Sequence, residues 1–128
     1  MNLSFRDLTV YKKAFELAME IFEISKTFPK EETYSLTDQI RRSSRSVCTC
    51  ISEAYRKRKY GAYFVSKSSD ADMENSETQV WLDFSFECGY ITKADHSHLM
   101  KKSEEVGKLL NHMIEYPEKY LRKDEKFK

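Results

Sequence analysis

A chain of 128 residues has the length of one domain, and its 22 Lys and Arg against 21 Asp and Glu leave almost no net charge. There is enough chain for a single core, and no global attraction to polyanions, so any nucleic-acid affinity has to come from a local patch. Three glycines and two prolines provide little for hairpins, glycine-rich loops or linkers, which predicts helix throughout.

The first periodic segment runs from about Leu8 to Phe28, with Val10, Ala14, Leu17, Ile21, Ile24 and Phe28 on one stripe. Phe15, Ala18 and Phe22 are expected to broaden that stripe, and Pro29 stops the helix. A second segment runs from about Tyr34 through the basic stretch "AYRKRKY", with Leu36, Ile40, Ser44, Val47, Ile51, Ala54 and Tyr55 inward and Gly61 as the break. The third, about Ala62 to Cys88, has an inward stripe of Phe64, Ser68, Ala71, Asn75, Thr78, Leu82 and Phe86 that is small and polar in its middle. Its end, "VWLDFSFECGY", is apolar nearly all round, because Val80, Trp81 and Phe84 project away from Leu82 and Phe86. One partner face cannot bury both sides, so Val80, Trp81 and Phe84 are expected to form an oligomer interface.

Gly89 reads as the C-cap of that helix, and Thr92 with Asp95 as a capping box opening the fourth. The last helix carries Leu99, Val106, Leu110 and Met113 inward, flanked by Leu109 and Ile114, until Pro117. These four amphipathic helices predict an all-α, antiparallel up-down-up-down four-helix bundle over residues 1–117, followed by a charged, frayed tail over 118–128. Ser44, Asn75 and Thr78 are expected to permit close helix approach and to set register through hydrogen bonds.

Charge is segregated along the chain. Thr37 to Tyr60 holds seven basic residues against Asp38 and Glu53, whereas Gly61 to Ile91 holds Lys67 against six acidic residues. At about 100° per residue, Arg41, Arg42, Arg45, Arg56 and Lys59 share one sector opposite Ile40, Val47 and Ile51. With Lys57 and Arg58 they form a candidate phosphate-contact stripe. Two other readings stay open: a solvated face, or pairing with the acidic third helix within or between subunits. Tyr55, Tyr60, Tyr63 and Phe64 beside the stripe are either stacking platforms for unpaired bases or junction packing.

No catalytic constellation emerges. Glu-x-x-His is absent, and Asp95 with His98 is the single Asp-x-x-His. Cys48 and Cys50 point to nearly opposite sides of a helix, and His96, His98 and His112 have no placeable nucleophile. No P-loop or dinucleotide fingerprint is present. The expectation is a protein with no catalytic residues, cofactor or metal. Cys48, Cys50 and Cys88 lack CxxC spacing, which suits reduced thiols. No apolar run approaches the ~20 residues of a membrane span, and "MNLSFRDLTVYKKAF" is unlike a secretory leader. A cytoplasmic location is expected.

The order "FRDLTVYKKAFELA", "FPKEETYSLTDQIRRSSRSV" and "ETQVWLDFSFECGYI" resembles the four-helix bundle proteins encoded within intervening sequences of bacterial 23S rRNA genes. It is also similar to the accessory variability protein of diversity-generating retroelements. The pattern rests on Leu8, Tyr11 and Ala14, Phe28-Pro29, Leu36 to Arg42, Ser46-Val47 leading to Ile51 and Glu53, and Gly89-Tyr90-Ile91. Cys50 and Ala54 stand where the family often has Asn and Gly. The resemblance implies a ring-like homo-oligomer, a pentamer, with a basic surface implicated in binding RNA or DNA and a reverse transcriptase, and no enzymatic activity.

Overall fold

The computed structural model describes residues 4–121. Four helices account for most of them: α1 (Thr9–Ser25), α2 (Leu36–Arg56), α3 (Gly61–Glu87) and α4 (Lys93–Glu115). Each packs on its neighbour in the chain and α1 closes on α4, with no diagonal contact among the described residues, so the expected up-down-up-down bundle is the fold. Among the described residues, no helix is long and apolar enough to cross a membrane.

The helix ends follow from local chemistry. α3 stops in a Schellman motif: Gly89 takes φ +79°, its N–H donates to Phe86 O, and the Tyr90 N–H donates to Ser85 O, both at 2.9 Å. Thr92 and Asp95 form the expected capping box at α4. α1 ends at Ser25, short of the expected Phe28, because Ser25 and Thr27 hydroxyls bond back to Phe22 O and Ile24 O while the chain tightens toward Pro29. At that end of the bundle Glu32 joins two links. It accepts from Leu36 N–H at the start of α2 and from Tyr90 Oη, the latter at 2.8 Å.

The core is divided. One apolar cluster, including Val10, Val47, Ile51, Phe64 and Leu110, fills the end where α1 begins; another, including Leu17, Ile21, Ile40, Leu82 and Leu99, fills the opposite end. Between them lies a polar layer. Asn75 donates to Ser103 O and accepts from Ser103 Oγ, each at 2.9 Å, and Thr78 donates to Ser43 Oγ at 2.9 Å. The small polar stripe of α3 therefore sets register through partners on α2 and α4, of which Ser43 and Ser103 carry no periodic apolar signal in the sequence.

Two expectations change. Phe15 does not broaden the core: it is 50% exposed, because α1 faces only α2 and α4 and its stripe is wider than the gap between them. The bundle also extends past Pro117. Tyr120 stacks on Phe64 at 5.8 Å and Leu121 packs on the core, so the first part of the expected tail is docked. The rest of that tail, 122–128, lies outside the described residues.

Candidate nucleic-acid interface

The seven basic residues occupy two patches, not one continuous stripe. α2 ends at Arg56, so Lys57, Arg58 and Lys59 lie in the turn to α3 and helical periodicity does not place them. Arg45 and Arg56 are eleven residues apart on the same helical face, about 16 Å along the axis. Thr49 and Ser52 occupy the surface between them.

The first patch is built on Phe22. Arg41 donates from Nε to Ser25 Oγ at 2.8 Å, and its guanidinium sits 4.9 Å from the Phe22 ring centre. Arg45 lies 5.6 Å and Lys26 4.8 Å from the same ring. Lys26 is paired with Glu23 at 3.1 Å, so the net positive charge about this half-buried ring comes from Arg41 and Arg45, whose stems pack while their guanidinium groups stay charged. Phe22 and Lys26 belong to α1, and nothing in the α2 sequence announces them. Arg42 stands apart, 3.9 Å from Asp38, its side chain 74% exposed. Such a pair contributes little and leaves the guanidinium accessible.

The second patch is the α2–α3 turn. Arg58 is committed to structure: its Nε donates to Tyr55 O at 2.9 Å and its guanidinium lies 3.8 Å from the Tyr55 ring, which satisfies a carbonyl at the end of α2. Arg56 and Lys59 are exposed, and Lys57 lies between two tyrosine rings, 5.8 Å from Tyr60 and 5.5 Å from Tyr63.

Among the described residues none of the seven makes an ion pair with α3, although Arg42 is near enough to Glu74 to favour its charged form. Among the described residues, Arg42 with Asp38 is the single ion pair any of the seven makes. The carboxylates of α3 meet other partners: Asp83 contacts His96 at 2.8 Å, and Lys67 bridges Asp70 and Glu53. Burial pushes the Asp72 carboxyl up. Burial, then a hydrogen bond to Glu77, pushes Glu74 up against the opposing influence of Ser46 and Arg42.

The expected interface residues also separate. Val80 and Phe84 are 47% and 53% exposed, and Met73 at 63% extends their row along the outside of α3. Trp81 is mostly in the core, packed on the second apolar cluster, with its Nε1 buried and without an acceptor among the described residues. Beside it an apolar groove of about 420 Å³ runs between Tyr34, Leu36, Phe84 and Cys88. Among the described residues no three His, Cys, Asp or Glu side chains come together to share a metal ion. Cys48, Cys50 and Cys88 are free thiols, and burial pushes Cys48 up to about 11.

Fold and surface together define a four-helix bundle with a basic face on α1 and α2 and an apolar, acid-flanked face on α3. Residues 6–112 match the family described as 23S rRNA-intervening sequence protein, and the chain belongs to that family. A crystal structure of a protein with unknown function from the S23 ribosomal protein family of Bacteroides thetaiotaomicron is similar at 31% identity and TM-score 0.75, over 83% of this chain and 95% of that one. No curated protein matches the chain.

Proposed function

We propose that this protein is a non-catalytic, oligomeric accessory protein that binds RNA or DNA with low sequence specificity through the basic residues of α2. One observation carries the reading: of the seven basic side chains, only Arg42 has a carboxylate partner among the described residues. Arg41, Arg45, Arg56, Lys57 and Lys59 keep their charge for an external anion, and phosphate contacts of this kind position a polyanion without reading its sequence. Arg42 joins them at small cost. Oligomerisation supports the same reading, because repeated patches on one body act through effective concentration even when each is weak. The Met73, Val80 and Phe84 face and the Phe22 face lie on different sides of the bundle. Contact of the Met73, Val80 and Phe84 face with an unlike surface of the next copy, outside the basic patches, is head-to-tail, the geometry that closes rings such as a pentamer.

That same segregation favours a second reading, in which α3 carboxylates of a neighbouring copy, or a protein partner such as a reverse transcriptase, take up the arginines. Arg45→Glu with Arg56→Glu tests both, since neither side chain bonds to backbone or hydroxyl among the described residues. If they contact phosphates, affinity for unrelated RNA sequences falls about equally, and the log-log salt slope becomes shallower by roughly 0.7 to 0.9 per contact. If they serve docking, the oligomer breaks or the melting temperature falls. A variant that keeps its mass, its melting temperature, its full RNA affinity and its salt slope would falsify the nucleic-acid reading.

A further inference from the structure

Four aromatic residues surround the α2–α3 turn, and the fold divides them into two pairs. Tyr55 and Phe64 are buried, at 7% and 1% exposure, whereas Tyr60 and Tyr63 are 53% and 43% exposed. The exposed pair is held in place: Tyr60 is the N-cap of α3 and Tyr63 lies in its first turn, so both rings project from a backbone already ordered. Leu121, packed against Gly61, secures the same backbone from the other side.

Cations sit on these rings. Lys57 lies between Tyr60 and Tyr63, and Lys59 lies 5.2 Å from the Tyr60 ring. Neither lysine pairs with a carboxylate among the described residues, and neither does the adjacent Arg56. Two exposed aromatic faces with uncompensated Lys57 and Lys59 beside them, and Arg56 next in the chain, match the two chemical parts of a single strand: a base with a π-face, and its phosphate.

We infer that the α2–α3 turn is a stacking platform for unpaired nucleobases, with Tyr60 and Tyr63 carrying the bases and Lys57, Lys59 and Arg56 the flanking phosphates. The inference rests on the nucleic-acid reading above and narrows its substrate to single strands. A base settling on either ring displaces a flexible lysine from that face, and the released ammonium gains a phosphate in exchange for an exposed cation–π contact. A duplex offers its phosphates but keeps its base faces covered, so it can use only the charged part of the site. Every base has a π-face, so the platform is indifferent to sequence, as phosphate contacts are.

The experiment measures fluorescence anisotropy of three labelled probes of equal length: a mixed-sequence single-stranded RNA, an abasic strand with the same phosphates, and an RNA duplex. Wild-type protein is compared with Tyr60→Ala/Tyr63→Ala and with Tyr60→Phe/Tyr63→Phe. The expected result is that wild type prefers the base-bearing strand over the abasic one by about tenfold or more. The Ala variant loses that preference with its salt slope intact, and the Phe variant retains it. If wild type binds base-bearing and abasic strands equally, the phosphate reading stands and the stacking inference falls. If wild type binds no probe, both fall. An Ala variant that keeps the preference overturns the inference too, and a changed assembly mass in that variant would assign the tyrosines to a protein contact.

Discussion

Asn75 shows how a single residue reconciles burial with polarity. Its side chain is 2% exposed, yet both ends of the amide are occupied by Ser103 on α4, and Gln79 donates to the same serine hydroxyl. A Cβ on Gly107 would stand 3.3 Å from the Asn75 amide nitrogen, close enough that the bonded amide would have to shift by a few tenths of an ångström to admit it. Asn75→Ala removes two hydrogen bonds and leaves a small void between the two apolar clusters. It is expected to cost about 1 to 3 kcal/mol of unfolding free energy, measured by denaturant titration, with the helical signal retained. Asn75 and Thr78 could be read as interior residues from periodicity alone; Ser103 could not, since a serine on a polar-rich helix looks like any solvated one.

At the scale of helices, α1 and α4 are the least extensively packed of the neighbouring pairs and carry the richest set of side-chain bridges. Lys102 bonds to both Glu16 and Glu20, His98 meets Glu20 at 2.8 Å, and Lys13 meets Glu105 at 3.1 Å. Burial pushes the Glu20 carboxyl up, but the bonds from Lys102 and His98 together hold it below its usual range. A carboxylate depressed in the folded state contributes stability above its unfolded pKa, and that contribution is lost as pH falls through the folded one. Glu20→Gln is therefore expected to lower the melting temperature at neutral pH by about 1 to 4 °C, since the bridge is only partly buried and solvent screens it. The difference should close below the ordinary carboxylate range, and thermal melts of both proteins across acid and neutral pH check it. Helix order and breaks were legible throughout, because Pro29, Gly89 and the Thr92–Asp95 box act within one turn of chain. The bridges were not, because they join residues 78 to 92 positions apart.

For the whole molecule, the outstanding feature is an uncovered apolar face on α3. Met73, Val80 and Phe84 are more exposed than apolar side chains of their size need be in a bundle whose inner faces are already filled. On the proposed assembly they are the contact between copies, and Phe84→Glu should dissociate it. The expected outcome is a fall to monomer mass by light scattering at micromolar concentration with unchanged helical circular dichroism. A dissociated variant should also lose the avidity of repeated basic patches, weakening RNA binding although no basic residue has changed. Phe84 is a cleaner position than Trp81 for this test, because Trp81 is packed on the core and a charge there would disturb the fold itself.

The amino-acid sequence by itself determined four helices, their boundaries to within a few residues, the bundle topology, and the segregation of positive charge on α2 from negative charge on α3. All of these follow from periodicity, capping and composition, which act over one or two turns of chain. Only the tertiary structure decided how much of each stripe its neighbours cover, and through that the fate of residues sitting at the edge of a stripe. It left Phe15 outside and took most of Trp81 inside. It gathered Lys26, Arg41 and Arg45 about Phe22, committed Arg58 to the end of α2, and sorted the aromatics of the turn into a buried pair and an exposed pair. The reason is geometric: a helical stripe wider than the space between two neighbours must leave one edge in solvent, and the position of those neighbours is a property of the packed bundle, not of any one segment.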